Sequence, residues 1–251
     1  MEKYFPINEQ GCSVRCKLYA DAPRGLRRVI IAPHGFGGHK DNRAAARFAE
    51  RVLSKYKSVG IVTFDLPCHG DDVRKTLSLA DCDLYFSLVL NHARTQLGAQ
   101  ELFAYAASFG GYLTLKYMAE HGSPFSRVVL RCPAVNMYDS MRERILKNDE
   151  LARLESGRDA DAGFDRKVRI SPAFLEELRE FDLPRRDFLE LSEQIRIIHG
   201  SKDEIIPPGV VSRFADDNLI ELITVENADH RFTDPLLMTE AIKAALEFMD
   251  L

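Results

Sequence analysis

Three side chains of the 251-residue chain could act together as a nucleophile, a base and an acid, and each of them follows a predicted strand. Ser108 follows the apolar segment FAYAA, Asp203 lies in the loop HGSKDEIIP, and His230 lies in the loop ENADHRF. A histidine that accepts a serine hydroxyl proton makes the oxygen nucleophilic, and a carboxylate orients the histidine. Ligands of open α/β sheets bind at the carboxyl ends of the strands. The sequence therefore predicts that the three side chains meet at that edge.

The segment LFAYAASFGGY, residues 102–112, predicts a buried strand that runs directly into a helix, with Ser108 at the junction. Ala106 lies two residues before the serine, and Gly110 and Gly111 follow it. Small flanking residues are what a tight, strained turn around a nucleophile requires. The same pattern also fits an ordinary serine at a helix N-cap.

Apolar strands and amphipathic helices alternate along most of the chain, which predicts a parallel sheet covered by helices on both faces. Residues 3–7 and 12–20 predict a hairpin before this alternation begins. Further strands are predicted at 27–33, 59–65, 102–107, 127–132, 194–199 and 218–225, and helices at 42–56, 79–97, 109–121, 207–215 and 232–249.

The alternation stops over residues 136–190, where nearly half of the residues are charged, against 29% for the whole chain. This segment contains no strong strand candidate. Helices are predicted at 137–155 and 172–182, the second with Ser171 as N-cap before Pro172, and SGRDADAG predicts a flexible connection. We interpret 136–190 as a cap inserted into a core of 1–135 and 191–251. The alternative is a set of solvated helices without function.

With these residues in view, the sequence resembles the α/β-hydrolases of the serine esterase and lipase type, close in style to bacterial carboxylesterases and cinnamoyl (feruloyl) esterases with a small cap. The resemblance covers about residues 25–250. It rests on the order Ser108, Asp203, His230, on HGFGG at 34–38, and on the elbow motif. Ala106 stands where the family's G-x-S-x-G has glycine, which is the smallest available change. The resemblance implies a mostly parallel eight-stranded sheet with an antiparallel strand near the N-terminus.

The resemblance also implies roles beyond the three catalytic residues. The backbone N–H groups of Phe36 and Phe109 would form the oxyanion hole. His34 and Gly35 would shape that loop, and Gly35 and Gly37 would lie against the substrate. The reaction needs no cofactor and no metal.

Apolar cap residues are predicted to form the acyl or aryl wall of the site. They are Met137, Met141, Phe164, Phe174 and Leu178.

Two carboxylates compete with Asp203 for the acid role. Glu204 is adjacent to it, and Asp139 follows an earlier strand, where some lipases place their acid. Asp203 is preferred because it fits the family's H-G-x-x-D-x-x-x-P pattern. Cys68 and Cys132 lie near strand ends but lack an elbow, so we interpret both as packing residues. Among the other histidines, His34 and His199 are predicted to be structural, His69 structural or part of the wall, and His39, His92 and His121 at the surface or at helix ends.

Composition limits the partners. A formal charge of −4 and a pI near 6.0 give no polycationic signature, so nucleic acid is not an expected partner. The first ten residues lack an apolar leader and no run reaches membrane-span length, so no membrane association is expected. Five scattered cysteines are an odd number, which predicts reduced thiols and a cytoplasmic location. The expected partner is a small-molecule ester, and a homodimer is possible.

These features favour a carboxylic ester hydrolase that acts on small or medium acyl or aryl esters through an acyl-enzyme. A peptidase or a monoacylglycerol lipase could use the same three residues. A non-catalytic ligand-binding protein on this fold is a further alternative, which the intact serine, acid and histidine argue against. Phosphate binding at HGFGG is weakly supported, because the chain has no G-x-x-x-x-G-K-[ST] motif.

Overall fold

An eight-stranded sheet forms the centre of the computed structural model, which describes residues 1–22 and 25–251. Its strands are β1 (Glu2–Glu9), β2 (Cys12–Ala20), β3 (Arg28–Ile31), β4 (Val59–Phe64), β5 (Glu101–Ala107), β6 (Arg127–Arg131), β9 (Ile195–Gly200) and β10 (Glu221–Val225). They run in the spatial order β1-β2-β4-β3-β5-β6-β9-β10. Only β2 is antiparallel to its neighbours β1 and β4; the other pairs are parallel. The predicted mostly parallel sheet with an antiparallel strand near the N-terminus is confirmed.

Helices cover both faces of the sheet, so the central strands are buried on both sides. The helices of the core are α1 (Arg43–Lys55), α2 (Leu79–Thr95), α3 (Phe109–His121), α7 (Pro208–Asp217) and α8 (Pro235–Met249). Helices α1 and α8 pack on one face, and α2, α3 and α7 pack on the other. Every residue of β4 is buried, as its continuous apolar sequence predicts.

Side-chain caps explain where several helices begin. The side-chain oxygen of Asn42 accepts a hydrogen bond from the amide of Ala45 at the start of α1, at 2.8 Å. Ser171 accepts one from the amide of Phe174 at 3.2 Å, and Pro172 is the first residue of α6 (Pro172–Glu180). Each cap satisfies an amide that has no partner within its own helix. The predicted N-cap at Ser171 is confirmed.

The segment 136–190 contains a small hairpin that the sequence did not predict. Strands β7 (Ala160–Ala162) and β8 (Val168–Ile170) pair antiparallel, and β7 occupies part of the stretch expected to be a flexible connection. Each strand has only three residues with a charged residue at its centre, so the period-two pattern is too short to stand out from the charged background.

The long helix predicted over 137–155 is interrupted. It consists of α4 (Met137–Ser140), a π-helical turn (Met141–Ile145) and α5 (Asn148–Glu155). Leu146 and Lys147 between them have extended backbone angles. No helix among the described residues is both long enough and apolar enough to cross a lipid bilayer.

Candidate active site

Ser108 lies at the junction of β5 and α3 with no residue between strand and helix. Its backbone has φ 51° and ψ −118°, a conformation that L-residues rarely adopt and that costs about 1–3 kcal/mol. Neighbouring backbone holds the turn in place: the Ser108 amide donates to the carbonyl of Arg131 at 3.0 Å, and the Ser108 carbonyl accepts from Ala134 at 3.1 Å. Ser108 makes no side-chain cap bond to α3. The geometry is that of a nucleophile elbow and not of an N-cap.

Small residues are required around Ser108 because other parts of the backbone pass close to them. A Cβ on Gly110 would lie 2.4 Å from the carbonyl oxygen of Pro33 and 2.8 Å from that of His34. A Cβ on Gly35 would lie 3.1 Å from the Ser108 Cβ and 3.6 Å from its Oγ. The loop that follows β3 therefore packs directly against the serine.

Gly110→Ala should destabilise the protein strongly, because the new methyl group meets backbone atoms that cannot rotate away. Overpacking of this kind costs about 1–3 kcal/mol or more, which corresponds to a fall in Tm of roughly 2–12 °C for a chain of this size. Gly209→Ala in α7 is the matched control, since nothing lies within 4 Å of the position that its Cβ would take. Thermal unfolding of both variants checks the prediction; equal Tm values would contradict it.

Ser108, His230 and Asp203 form a continuous hydrogen-bonded chain. The His230 Nε2 lies 3.0 Å from the Ser108 Oγ, and its Nδ1 lies 2.7 Å from the Asp203 Oδ2. Asp203 is buried, and its Oδ1 accepts hydrogen bonds from the amides of Ile205 at 2.9 Å and Ile206 at 2.8 Å. Because the carboxylate can only accept, the neutral imidazole must carry its proton on Nδ1, which leaves Nε2 free to accept the serine proton.

Asp203 is held in its ionised form. Burial acts to raise its pKa, but the hydrogen bond and charge of His230 and the Ile206 amide outweigh it, so the pKa lies below the ordinary value. The competing acids lie elsewhere: Glu204 and Asp139 are both exposed, and neither makes a hydrogen bond to His230. Burial also raises the pKa of the Cys68 thiol to about 11 and that of Cys132 well above its ordinary value, which disfavours a thiolate nucleophile.

The loop after β3 lies against the serine at Gly35. His34 fixes this loop, since its Nε2 accepts from the Leu66 amide at 3.2 Å and its Nδ1 donates to the Gly35 carbonyl at 2.8 Å. Among the described residues, the amides of Phe36 and Phe109 donate no hydrogen bond, and their rings lie 5.7 Å apart. Two amides without acceptors beside a nucleophile can bind a developing oxyanion.

A buried ion pair between Asp65 and Lys40 stabilises the same loop. The side chain of Asp65, at the end of β4, accepts from the Lys40 amide at 2.7 Å and lies 3.0 Å from the Lys40 Nζ. It also accepts from the Asp71 amide at 2.9 Å. Asp65 therefore ties the loop after β3 to the loop after β4. No role was predicted for Asp65 or Lys40 from the sequence; the available signal was an acid at the end of an otherwise apolar strand.

A cavity of about 770 Å³ opens onto Ser108 and His230. Gly35, Phe36 and Gly37 line it, as does Phe164 from the turn between β7 and β8. The other four apolar cap residues were predicted to line the cavity, and this prediction is wrong. Their helices turn their apolar faces inward, so the four side chains lie in the hydrophobic core and not along the cavity: Met137, Met141, Phe174 and Leu178.

The remaining predicted histidines fall at varied sites. His199 is buried, with its Nε2 3.0 Å from the Ile206 carbonyl and 3.5 Å from Asp203. His69 is buried, and its Nδ1 donates to the Pro67 carbonyl at 2.7 Å. His39 lines the cavity, although it was predicted to lie at the surface or at a helix end.

Comparison with known proteins identifies the family of this chain. A model of the alpha/beta hydrolase family matches residues 29–245, a span that includes Ser108, Asp203 and His230. The chain belongs to that family. Monoacylglycerol lipase abhd6-A of Xenopus laevis is 25% identical over 186 residues, which are 73% of this chain and 50% of that protein. This alpha/beta hydrolase thus spans about half the length of that curated relative.

Solved structures share the fold of this alpha/beta hydrolase across almost its whole length. Est1E from Butyrivibrio proteoclasticus with bound ferulic acid superposes with a TM-score of 0.77 at 15% identity, covering 98% of this chain and 100% of that one. Alpha/beta hydrolase domain-containing protein 10 from mouse gives a TM-score of 0.72 at 16% identity, covering 99% and 98%. At these identities the likeness concerns the fold alone.

Two buried histidines should make this alpha/beta hydrolase sensitive to mild acid. Burial lowers the pKa of His69 from 6.5 to about 4 and that of His34 well below 6.5. The unfolded chain therefore binds protons that the folded chain does not, so stability should fall as the pH drops from about 6.5 towards 4. Each such histidine steepens the slope by at most about 1.4 kcal/mol per pH unit.

Unfolding free energies at several pH values, for the parent protein and for His69→Asn, check this prediction. The variant should show a shallower loss between pH 6.5 and 4. Asp203, whose pKa is lowered, adds a separate loss only below about pH 4, so the two effects fall in different ranges. Parallel curves for the two proteins across the histidine range would contradict it.

Proposed function

We propose that this chain is a serine hydrolase that cleaves carboxylic esters through an acyl-enzyme intermediate. The observation that supports this most strongly is the unbroken contact from Ser108 through His230 to Asp203, at 3.0 and 2.7 Å. Both distances are those of hydrogen bonds that can transfer or orient a proton.

In the proposed reaction, the Ser108 Oγ attacks the ester carbonyl carbon while its proton moves to the His230 Nε2. The carbonyl oxygen becomes an oxyanion, which accepts hydrogen bonds from the Phe36 and Phe109 amides. His230 then gives its proton to the alkoxide oxygen as the carbon–oxygen bond breaks, and the alcohol leaves. Water repeats the sequence on the acyl-serine and releases the carboxylic acid. Asp203 remains a carboxylate throughout and stabilises the imidazolium.

A panel of substrates tests this function. It contains p-nitrophenyl esters of graded acyl length, methyl cinnamates, a monoacylglycerol and aminoacyl p-nitroanilides. We expect kcat/KM for the best ester to exceed that for the best amide by about 10² or more, since the amide has the poorer leaving group. Cleavage confined to the amides would favour a peptidase instead, and no cleavage of any member would contradict a serine hydrolase of this kind.

A monoacylglycerol lipase is the second candidate, and the 25% identical Xenopus laevis relative favours it. The panel separates the two. A lipase of this type should prefer a long-chain monoacylglycerol to a short p-nitrophenyl ester, whereas the primary proposal expects small or medium acyl and aryl groups.

We further propose that the turn between β7 and β8 acts as part of a cap that selects the substrate. A Cβ on Gly37 would lie 3.0 Å from the carbonyl oxygen of Arg166, so the turn packs on the loop that carries Phe36. Asp165 forms an ion pair with Arg231 at 2.7 Å, directly after His230. Phe164 is 46% exposed and lines the cavity.

Phe164→Ala should lower kcat/KM for cinnamate esters roughly three- to tenfold relative to acetate esters, because an aromatic contact worth about 1 kcal/mol is lost. Leu189→Ala is the matched control, since Leu189 is similarly exposed at 44% and does not line the cavity. Steady-state kinetics on the two ester types give the ratio. An unchanged ratio in Phe164→Ala would mean that the turn does not select the acyl group.

A further inference from the structure

Arg131 is a buried charge without a charged partner. It ends β6 and its side chain lines the cavity that holds Ser108 and His230. It is only 7% exposed, and among the described residues no carboxylate lies within 4.0 Å of it. One guanidinium nitrogen, Nη1, donates to the His230 carbonyl at 3.1 Å, but Nε has no hydrogen-bond partner. Buried charges are normally paired, since an uncompensated one is costly.

Tyr105 adds a second unpartnered donor on the same face of the sheet. In the register of β5 and β6, Arg131 lies opposite Ala107, and Tyr105 precedes Ala107 by two residues, so both side chains leave the same face. The Tyr105 ring stacks on Phe48 of α1, with centroids 3.9 Å apart. Its hydroxyl is buried and has no hydrogen-bond partner among the described residues, and Tyr105 is one of the residues that line the same cavity.

The chemistry of these two groups defines their ligand. A guanidinium only donates hydrogen bonds. Burial raises the pKa of Tyr105 and outweighs the lowering by the charge of Arg131 and by the approach of its guanidinium to the hydroxyl, so the hydroxyl also keeps a proton to donate. Two donors and one positive charge at the wall of a cavity match an acceptor that is negative and has two oxygens. A carboxylate meets all of these requirements, and guanidinium–carboxylate hydrogen bonds are among the strongest in proteins.

The rest of the cavity wall has the same sign of charge. Arg43, Arg47 and Arg166 line it, and within the described ranges 1–22 and 25–251 none of them forms an ion pair. Each of the two acids of the wall lies beside a cation: Asp41 is 3.2 Å from Lys17, and Asp165 is 2.7 Å from Arg231. A cavity with this wall attracts anions.

We propose that Arg131 and Tyr105 form a subsite for a carboxylate, so that the preferred substrates are esters that carry a free carboxylate group in addition to the ester bond. This inference rests on the proposed ester hydrolysis and names its substrate class. The half esters of dicarboxylic acids are the simplest members of the class on the acyl side, and acetyl esters of hydroxy acids are the simplest on the alcohol side.

The test compares matched pairs of substrates by titrating the released acid. Monomethyl esters of four- to seven-carbon dicarboxylic acids are paired with methyl esters of monocarboxylic acids of the same length, and acetoxy acids are paired with their alkyl acetate analogues. In the parent protein, at least one acidic ester should exceed its neutral partner about tenfold or more in kcat/KM, chiefly through a lower KM.

Variants assign this preference to the two residues. Arg131→Met should bring the acidic-to-neutral ratio close to one, Arg131→Lys should retain part of it, and Tyr105→Phe should lower it roughly three- to tenfold. Arg127→Met is the matched control, because Arg127 is an exposed arginine at the other end of β6 and does not line the cavity. It should keep the parent ratio.

Two kinetic results would overturn the subsite and leave the ester hydrolase standing. The first is a parent protein that cleaves neutral esters as well as or better than every acidic partner. The second is an Arg131→Met variant that loses activity equally on both members of each pair, which would show that Arg131 only supports the His230 carbonyl.

A binding measurement is independent of turnover. Calorimetric titration of the Ser108→Ala protein with monomethyl glutarate and with methyl valerate should show monomethyl glutarate binding at least tenfold more tightly, and Arg131→Met should abolish the difference. Equal binding of the two esters would overturn the subsite whether or not any ester is cleaved. Absence of ester cleavage with tighter binding of monomethyl glutarate would instead reject the proposed function and retain the subsite.

Discussion

Replacing Ser108 by alanine should lower kcat for the best ester by about 10⁴-fold or more while leaving the protein folded. The substitution removes the oxygen that lies 3.0 Å from the His230 Nε2, and losses of this order follow the removal of a triad nucleophile. Alanine keeps the Cβ that already lies in the elbow, so the packing against Gly35 does not change. Initial rates together with a thermal unfolding curve check both parts.

Ser54→Ala is the control for this experiment, because Ser54 is exposed on α1 and bonds only to the carbonyl of Arg51. Its rate should equal that of the parent. If Ser108→Ala retained more than about one per cent of parent turnover in a preparation free of other hydrolases, a different nucleophile would have to be sought.

Asp203→Asn should cut turnover by roughly 10³–10⁴-fold. The amide is the same size and its oxygen can still accept from the Ile205 and Ile206 amides, so the loop should keep its shape. Its NH₂ group, however, would face the His230 Nδ1 and favour the tautomer that carries the proton on Nε2, which cannot accept the serine proton. The imidazolium also loses its negative partner.

Glu204→Gln is the matched control, since it makes the same change of carboxylate to amide one residue further along. Glu204 is exposed and forms no hydrogen bond to His230, so the kcat of the variant should stay within about tenfold of the parent value. If Glu204→Gln lost its turnover while Asp203→Asn retained it, the acid would be misassigned. If both variants kept full activity, Asp139 would become the candidate for the acid.

The sequence predicted the core of the fold because each element there carries a strong local pattern. Helix Phe109–His121 was predicted with the residue bounds that the structure shows, and β4 differs by a single residue at its end. Buried parallel strands are continuous apolar runs, and surface helices show apolar residues every three to four positions. The strand-end loops could then be located, and with them Ser108, Asp203 and His230.

The segment 136–190 was predicted less well for a physical reason. Its short strands and broken helices depend on tertiary contacts and not on local periodicity, so β7 and β8 were missed. Met137 and Phe174 were predicted to lie in the pocket because they are apolar residues of an insertion that was expected to overhang the site. Only the packing directions of their helices, which the sequence does not define, show that they are buried in the core.

The wall of the cavity was the least predictable part. Tyr105 and Arg131 lie in strands whose apolar patterns predicted only burial, and the sequence holds no signal that their polar atoms lack partners. Whether these polar atoms have hydrogen-bond partners depends on the neighbours that folding brings around them. An arginine at the end of an apolar strand was the one available indication.

Covalent labelling shows whether Ser108 is the nucleophile. The protein is treated with a fluorophosphonate, the adduct is mapped by peptide mass spectrometry, and labelling rates are compared with those of Ser108→Ala and Asp203→Asn. We expect one adduct per chain, on Ser108, formed with loss of fluoride, absent in Ser108→Ala and strongly slowed in Asp203→Asn. An adduct on another residue, or unchanged labelling of Ser108→Ala, would contradict it.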